Sequence, residues 1–194
     1  MMGLIDKAII FALRAHSGQQ RKTGREIPFI THPFGVAMLL QGMGCAENVV
    51  VAGLLHDTVE DTPVTLADIE AEFGSEVACI VSYCTEPHGR WETRKQALID
   101  NLRHAPLEAK LLAAADKYHN LSHMLHNLKK HGPTMWRNFS RGPEQQAWYY
   151  RSVLDSILED VAEPDQYPIF GQLQDVIEQL FMGVATSHVQ TPSP

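Results

Sequence analysis

Long apolar runs are missing from this chain. None approaches the roughly 18 residues needed to span a bilayer, although 44% of its 194 residues are apolar. The opening MMGLIDKAIIFALRAH carries Asp6 where a signal peptide wants basic residues, so a cytoplasmic protein with no membrane partner is expected. Cysteine is scarce. The three copies, Cys45, Cys79 and Cys84, are odd in number and show no CxxC spacing. They suggest neither a disulfide framework nor a structural zinc site, and are expected to be buried, reduced thiols. Positive charge is short as well. A net charge of −7 argues against the clustered Lys and Arg that neutralise nucleic-acid phosphates, so a nucleic-acid partner is not expected. A small anionic ligand stays open if positive charge is concentrated locally. Strict period-two alternation is nearly absent and there is no internal repeat, which argues against a sheet.

What remains is helical periodicity. Apolar residues at Ile5, Ile9, Ala12 and Leu13 define a first helix ending near Ser17 and Gly18. QQRKTGREIPFITH reads as a loop, and Pro33 suits the first turn of a second helix running to about Leu40. A third helix is expected over about Glu47 to Thr58, and Thr65 with Asp68 resembles a capping box for a fourth that Gly74 closes. Further helices are expected at about 75–84, 91–103, 106–129, 143–162 and 169–184. The fold class is therefore all-α. Its expected division is one domain over 1–165, a C-terminal helix over 166–186 packing on it, and a disordered tail at 187–194, SHVQTPSP.

One stretch conflicts with that simple picture. VVVAGLL is followed at once by HDTVEDT, so His56, Asp57, Glu60 and Asp61 crowd the end of the most apolar helix. His56 and Asp57 precede Glu60 and Asp61 by four positions each, which stacks the two pairs on one side of the helix or of its unwinding end. A solvated helix terminus before Pro63 is the ordinary explanation. Beside an apolar stretch, however, three carboxylates repel one another and lose solvation unless a cation or strong donors compensate. Asp116 repeats the pattern at the end of AKLLAAAD, and His32 stands at a loop-to-helix junction where its imidazole can point at another helix. Two His and two Asp suit Mn²⁺, Fe²⁺ or Zn²⁺ better than the all-oxygen sites of Ca²⁺ and Mg²⁺.

The pattern His32, His56–Asp57, Asp116 resembles the H…HD…D signature of the HD-domain metal-dependent phosphohydrolases. The longer segments AHSGQQRKTG, PFITHPFGVAMLL, VAGLLHDTVEDT, FGSEV, TEP, WETRKQ and ADKYHNL, over roughly residues 8–128, are similar to the hydrolase domain of the RelA/SpoT-type alarmone enzymes. RGPEQQAWYY resembles their short single-domain members, the small alarmone hydrolases. The resemblance implies a compact HD-domain bundle with extra C-terminal helices. It assigns a divalent metal, Mn²⁺ by expectation, to His32, His56, Asp57 and Asp116, leaving positions for water and a phosphate oxygen.

The same resemblance gives Glu60 and Asp61 the task of orienting or deprotonating the attacking water. Arg21 and Lys22 match the family's nucleotide-contacting RK, where a guanidinium can stack on a purine and an ammonium can meet phosphate. Lys117 balances phosphate charge, and the Asn120 amide holds a ribose or phosphate oxygen. RKTGREIPFITH departs from the family in being slightly longer, with Arg25 and Glu26 inside it. The implied reaction removes the 3′-diphosphate of (p)ppGpp, giving GDP or GTP and pyrophosphate. Alternatives are hydrolysis of another nucleotide, such as the NADPH 2′-phosphate or a deoxynucleoside monophosphate, and a noncatalytic nucleotide sensor or antitoxin.

Some residues are left with ordinary roles. Helix-surface charge and packing around Trp91 account for Arg94 and Lys95, and His16 continues a core face. His119 and His123 have the i, i+4 spacing of a metal pair without a third ligand, so His123 is expected to form a pocket wall. The aromatic AWYY segment is open to either a core or a homo-oligomer interface.

Overall fold

The computed structural model describes residues 2–21 and 27–184. Ten α-helices follow one another among the described residues: α1 (Leu4–Ala15), α2 (Thr31–Gly42), α3 (Glu47–Leu55), α4 (Thr58–Asp61), α5 (Leu66–Phe73), α6 (Ser75–Cys84), α7 (Trp91–Arg103), α8 (Leu107–His131), α9 (Pro143–Leu158) and α10 (Pro168–Leu180). Short 3₁₀ turns at Gly132–Asn138 and Pro164–Gln166 flank α9. The described residues form no β-strand, only a single bridge pairing Gln20 with Pro28. None of these helices is long and apolar enough to cross a membrane. The tail expected at 187–194 lies outside the described residues, as does Lys22.

The centre of the bundle is built from the two most apolar segments. Every residue of α3 from Val49 to Leu55 is buried, as is α8 from Ala109 to Asp116, so each is surrounded by other helices over that length. Gly53 permits this closeness on the α2 side: a Cβ there would lie 2.7 Å from Leu40 Cδ1 and 3.3 Å from the Ala37 backbone. The helices α2, α3 and α8 touch one another pairwise. α10 lays Ile169, Phe170, Leu173, Val176, Ile177 and Leu180 into the same core, against α8 and α9.

Most expected helices appear close to their expected bounds, and the Thr65 cap is present. Asp68 N–H donates to Thr65 Oγ1, and the Asp68 carboxylate accepts from Thr65 N–H. The third helix is corrected. It does not run on to Thr58 but stops at Leu55, with a turn at His56 and Asp57 before α4. Local side chains compete for the carbonyls there: the Thr58 hydroxyl donates to Leu55 O at 2.6 Å, and His56 Nδ1 lies 2.8 Å from Gly53 O. The ninth helix also ends earlier than expected, at Leu158, ahead of Asp160 with its φ of 61°.

The cysteine expectation is corrected too. All three are free, but Cys79 is exposed on the outer face of α6, while Cys45 and Cys84 are half-buried. In AWYY, Tyr149 and Tyr150 are buried in the core, and Trp148 packs against Trp91.

Candidate functional site

The chain places His32 in the first turn of α2, His56 and Asp57 in the break after α3, and Asp116 midway along α8. Because those three helices pack together, the four side chains meet. His32 Nε2 lies 3.0 Å from Asp116 Oδ1 and 3.4 Å from Asp57 Oδ2, and His56 Nε2 lies 3.2 Å from Asp57 Oδ1 and 3.6 Å from Asp116 Oδ1. Among the described residues, ligand atoms of His32, His56 and Asp57 all fall within 4.8 Å of one another, and Asp116 closes the group from α8. The helix break is what turns Asp57 toward His56.

The donor set fits a metal ion. His56 Nε2 is buried without a hydrogen-bond partner, while Nδ1 of the same ring is held at Gly53 O. If Nδ1 donates to that carbonyl, Nε2 is left with a lone pair for a cation. Without one, charge balance falls to a proton. Burial alone would lower His56, but the charges of Asp57 and Asp116 and the Gly53 carbonyl outweigh it and hold the imidazole at about 9. Burial likewise opposes ionisation of Asp116, yet Lys117, His32 and His56 hold its carboxyl well below the usual carboxylate range. Lys117 Nζ donates to Asp116 Oδ2 at 2.6 Å, and its ammonium is stabilised against burial by that carboxylate.

A cleft of about 490 Å³ opens over the cluster, a size ordinary for small-molecule sites. Its walls bring in most of the residues singled out from sequence: Arg21, Glu60, Asp61, Lys117, Asn120 and His123. Arg21 is placed by its own N–H, which donates to Ile27 O at 3.0 Å, and its guanidinium lies over the Phe29 ring. Nη2 of Arg21 donates to Asn120 Oδ1 at 3.1 Å, while Asn120 Nδ2 donates to Asp116 Oδ1 at 2.7 Å. Asn120 thus ties the Arg21 cation to a carboxylate of the cluster. Glu60 and Asp61 part company: the Glu60 side chain is 20% exposed and turns inward, whereas Asp61 is exposed and its backbone carbonyl accepts from Gln19 Nε2.

Arg94 and Lys95 are corrected. They are not ordinary surface charge of α7 but line the cleft. The residue that brings them there is Glu86, in the loop after α6, whose role the sequence did not disclose. Its buried carboxylate accepts from Lys95 Nζ at 2.5 Å and pairs with Arg94 Nη2 at 3.0 Å, and its backbone N–H donates to Glu60 Oε1 at 2.5 Å. Lys95 Nζ also sits 4.5 Å above the Tyr149 ring. The only sequence signal was the segment TEP, which carries no spacing relation to WETRKQ. Burial, offset by that backbone hydrogen bond but reinforced by the charges of Glu86 and Asp57, pushes the Glu60 carboxyl up to about 7. His16 is a core residue, 4% exposed with Nδ1 2.9 Å from Gln19 Oε1, but it is not the fully satisfied one expected, since its Nε2 is buried without a hydrogen-bond partner. Cys84, also on the cleft wall, has its thiol pushed up to about 12 by burial, so it is no nucleophile at neutral pH.

An all-α bundle with a His/Asp cluster gathered from a helix start, a helix break and a helix middle defines a class of metal-binding domain. The chain belongs to the HD domain family, which matches residues 8–140. Its relatives include the guanosine-3′,5′-bis(diphosphate) 3′-pyrophosphohydrolase of Xenopus tropicalis, 39% identical over 69% of this chain and 74% of that protein. The Mus musculus protein of the same name is 33% identical over 90% of this chain and 91% of its own length. Among solved structures, a metazoan orthologue of SpoT that hydrolyses ppGpp superposes with a TM-score of 0.75 at 28% identity, covering 92% of this chain and 96% of that one.

Proposed function

We propose that this chain removes the 3′-diphosphate of (p)ppGpp by hydrolysis, using a divalent metal ion, Mn²⁺ in the first instance. The observation that carries the reading is a single cleft in which a His/Asp donor set faces four cationic side chains, Arg21, Arg94, Lys95 and Lys117. Two near relatives bearing the name of that activity support it.

His32, His56, Asp57 and Asp116 would hold the cation, which when bound would supply Lewis-acid polarisation of a phosphoryl oxygen and a more acidic water. The protein's own groups do the rest. Glu60 takes the proton of the attacking water, and Asp61 at the cleft rim orients that water. The water oxygen bonds to the phosphorus carried by the ribose 3′ oxygen, and the bond to that oxygen breaks. Glu60 returns its proton to the 3′ oxygen, which leaves as a hydroxyl, so the products are GDP or GTP and pyrophosphate. Arg21 and Asn120 hold the nucleoside end, while Lys117, Arg94 and Lys95 offset the phosphate charge that grows in the transition state. Lys22 joins Arg21 in this reading on the strength of the family RK pair. The partner in this reading is a small-molecule nucleotide and not a nucleic acid.

The substrate assignment is tested by comparing ppGpp, NADPH and a deoxynucleoside monophosphate with the same Mn²⁺-loaded protein. The expected result is a kcat/KM for ppGpp at least ~10²-fold above either alternative, since unpaired buried polar groups penalise a poorly matched ligand. Higher kcat/KM for NADPH or the monophosphate would move the substrate within the same chemistry. Tight nucleotide binding without turnover under any divalent metal would mean a sensor.

A further inference from the structure

The two histidines of the cluster are steadied differently. His56 Nδ1 meets a backbone carbonyl, Gly53 O, whereas His32 Nδ1 lies 2.9 Å from Nδ1 of His119, one turn along α8 from Asp116. The His119 ring stands 4.9 Å from the His32 ring and 4.7 Å from the His123 ring, centroid to centroid. It also occupies the space left by Gly35 on α2. A Cβ at position 35 would lie 2.4 Å from His119 Nε2 and 2.8 Å from its Cδ2, closer than atoms can approach without movement. The four bodies form a stack: the bare backbone of Gly35, the His119 ring, the His32 ring and the donor cluster.

We infer that His119 is a positioning residue for the metal ion, holding the His32 ring in its binding orientation through the Nδ1 contact, and that Gly35 is required as the seat of the His119 ring. The inference rests on the proposed metal centre. When Nε2 of His32 gives its lone pair to a cation, Nδ1 carries the hydrogen and donates to His119 Nδ1, and the His119 proton is on Nε2. When the centre is empty, His32 Nε2 can donate to Asp116 Oδ1 at 3.0 Å, and its Nδ1 then accepts from His119. An imidazole serves both arrangements because it can donate or accept at Nδ1, which a carbonyl cannot. The ring therefore stays in place before metal arrives, and a partner that orients a ligating histidine is worth about 10- to 100-fold in metal affinity.

The test is the dissociation constant for Mn²⁺ of the full chain, measured by titration on wild type, His119→Leu, His119→Asn, Gly35→Ala, the double variant Gly35→Ala/His119→Leu, and His32→Ala. Asn can place a polar atom where Nδ1 lies; Leu cannot. The expected result is affinity weakened about 10- to 100-fold by His119→Leu and by Gly35→Ala, rescue to within a few-fold by His119→Asn, and a double variant no weaker than His119→Leu alone. Gly35→Ala gains helix propensity but crowds the His119 ring, so the metal-free melting temperature of each variant separates a loss of folding from a loss of ring orientation. Wild-type affinity in His119→Leu or in Gly35→Ala, with binding lost in His32→Ala, overturns the inference and leaves the metal centre standing. Wild-type affinity in His32→Ala overturns the metal centre itself.

Discussion

Asp57→Ala is expected to lower metal-dependent turnover by ~10³-fold or more while leaving a folded protein. The carboxylate sits in the break between α3 and α4 with its two oxygens 3.2 and 3.4 Å from Nε2 of His56 and His32, so it contributes to the cluster and little to the core. The fold around it is secured by the apolar run Val49 to Leu55, each large side chain of which contributes roughly 1.5–3 kcal/mol on burial. Truncating one partly exposed side chain at the end of that run does not offset this. The same variant loses the stabilisation that Mn²⁺ confers on wild type, because an ion stabilises only the state that binds it. Kinetics with added Mn²⁺ and melting curves with and without it check both halves. A folded Asp57→Ala protein with full turnover would sink the mechanism.

Glu60 carries the second large effect. Its side chain is held by the Glu86 N–H at 2.5 Å while burial, together with the charges of Glu86 and Asp57, opposes its ionisation. Glu60→Gln keeps an oxygen for that N–H but removes the base, and kcat is expected to fall about 10²- to 10⁴-fold with Mn²⁺ affinity retained. Metal-free protein gives an independent readout. A carboxyl raised from 4.5 to about 7 by folding binds its proton more tightly in the folded state. The resulting stability is fully present below pH ~4.5 and is lost as the pH rises through about 7. At full shift it is worth ~3 kcal/mol. Chelated wild type should therefore fall in stability across that window relative to Glu60→Gln, which has no carboxyl to ionise at this position. Parallel pH profiles for the two proteins would remove Glu60 as the poised group.

Those two carboxylates also mark how far the sequence could be read. The proposed metal quartet was legible because His56, Asp57 and Asp116 end apolar helical runs, where a charge needs an explanation, and because together with His32 they resemble the H…HD…D signature. Helices such as α5 and α7 were legible from periodicity, and α5 from its Thr65 cap as well. The break at His56 and Asp57 was not, since it depends on Thr58 and His56 side chains taking carbonyls that a period-3.6 pattern assigns to backbone N–H groups. Glu86 was invisible for a different reason. Its partners Glu60, Arg94, Lys95 and Tyr149 come from three other helices, α4, α7 and α9, and nothing along the chain records that Glu86 meets them. The same holds for His119: its spacing to His123 could be counted, but its contact with His32 spans 87 positions.

The measurement that bears most directly on the central claim is product analysis with metal-stripped protein. Protein freed of divalent ions is incubated with ppGpp, with and without added Mn²⁺, and the nucleotides and phosphates are separated. No reaction is expected without the metal, and with it the stoichiometric appearance of GDP and pyrophosphate. Undiminished turnover in the stripped protein, or release of orthophosphate in place of pyrophosphate, would contradict that claim.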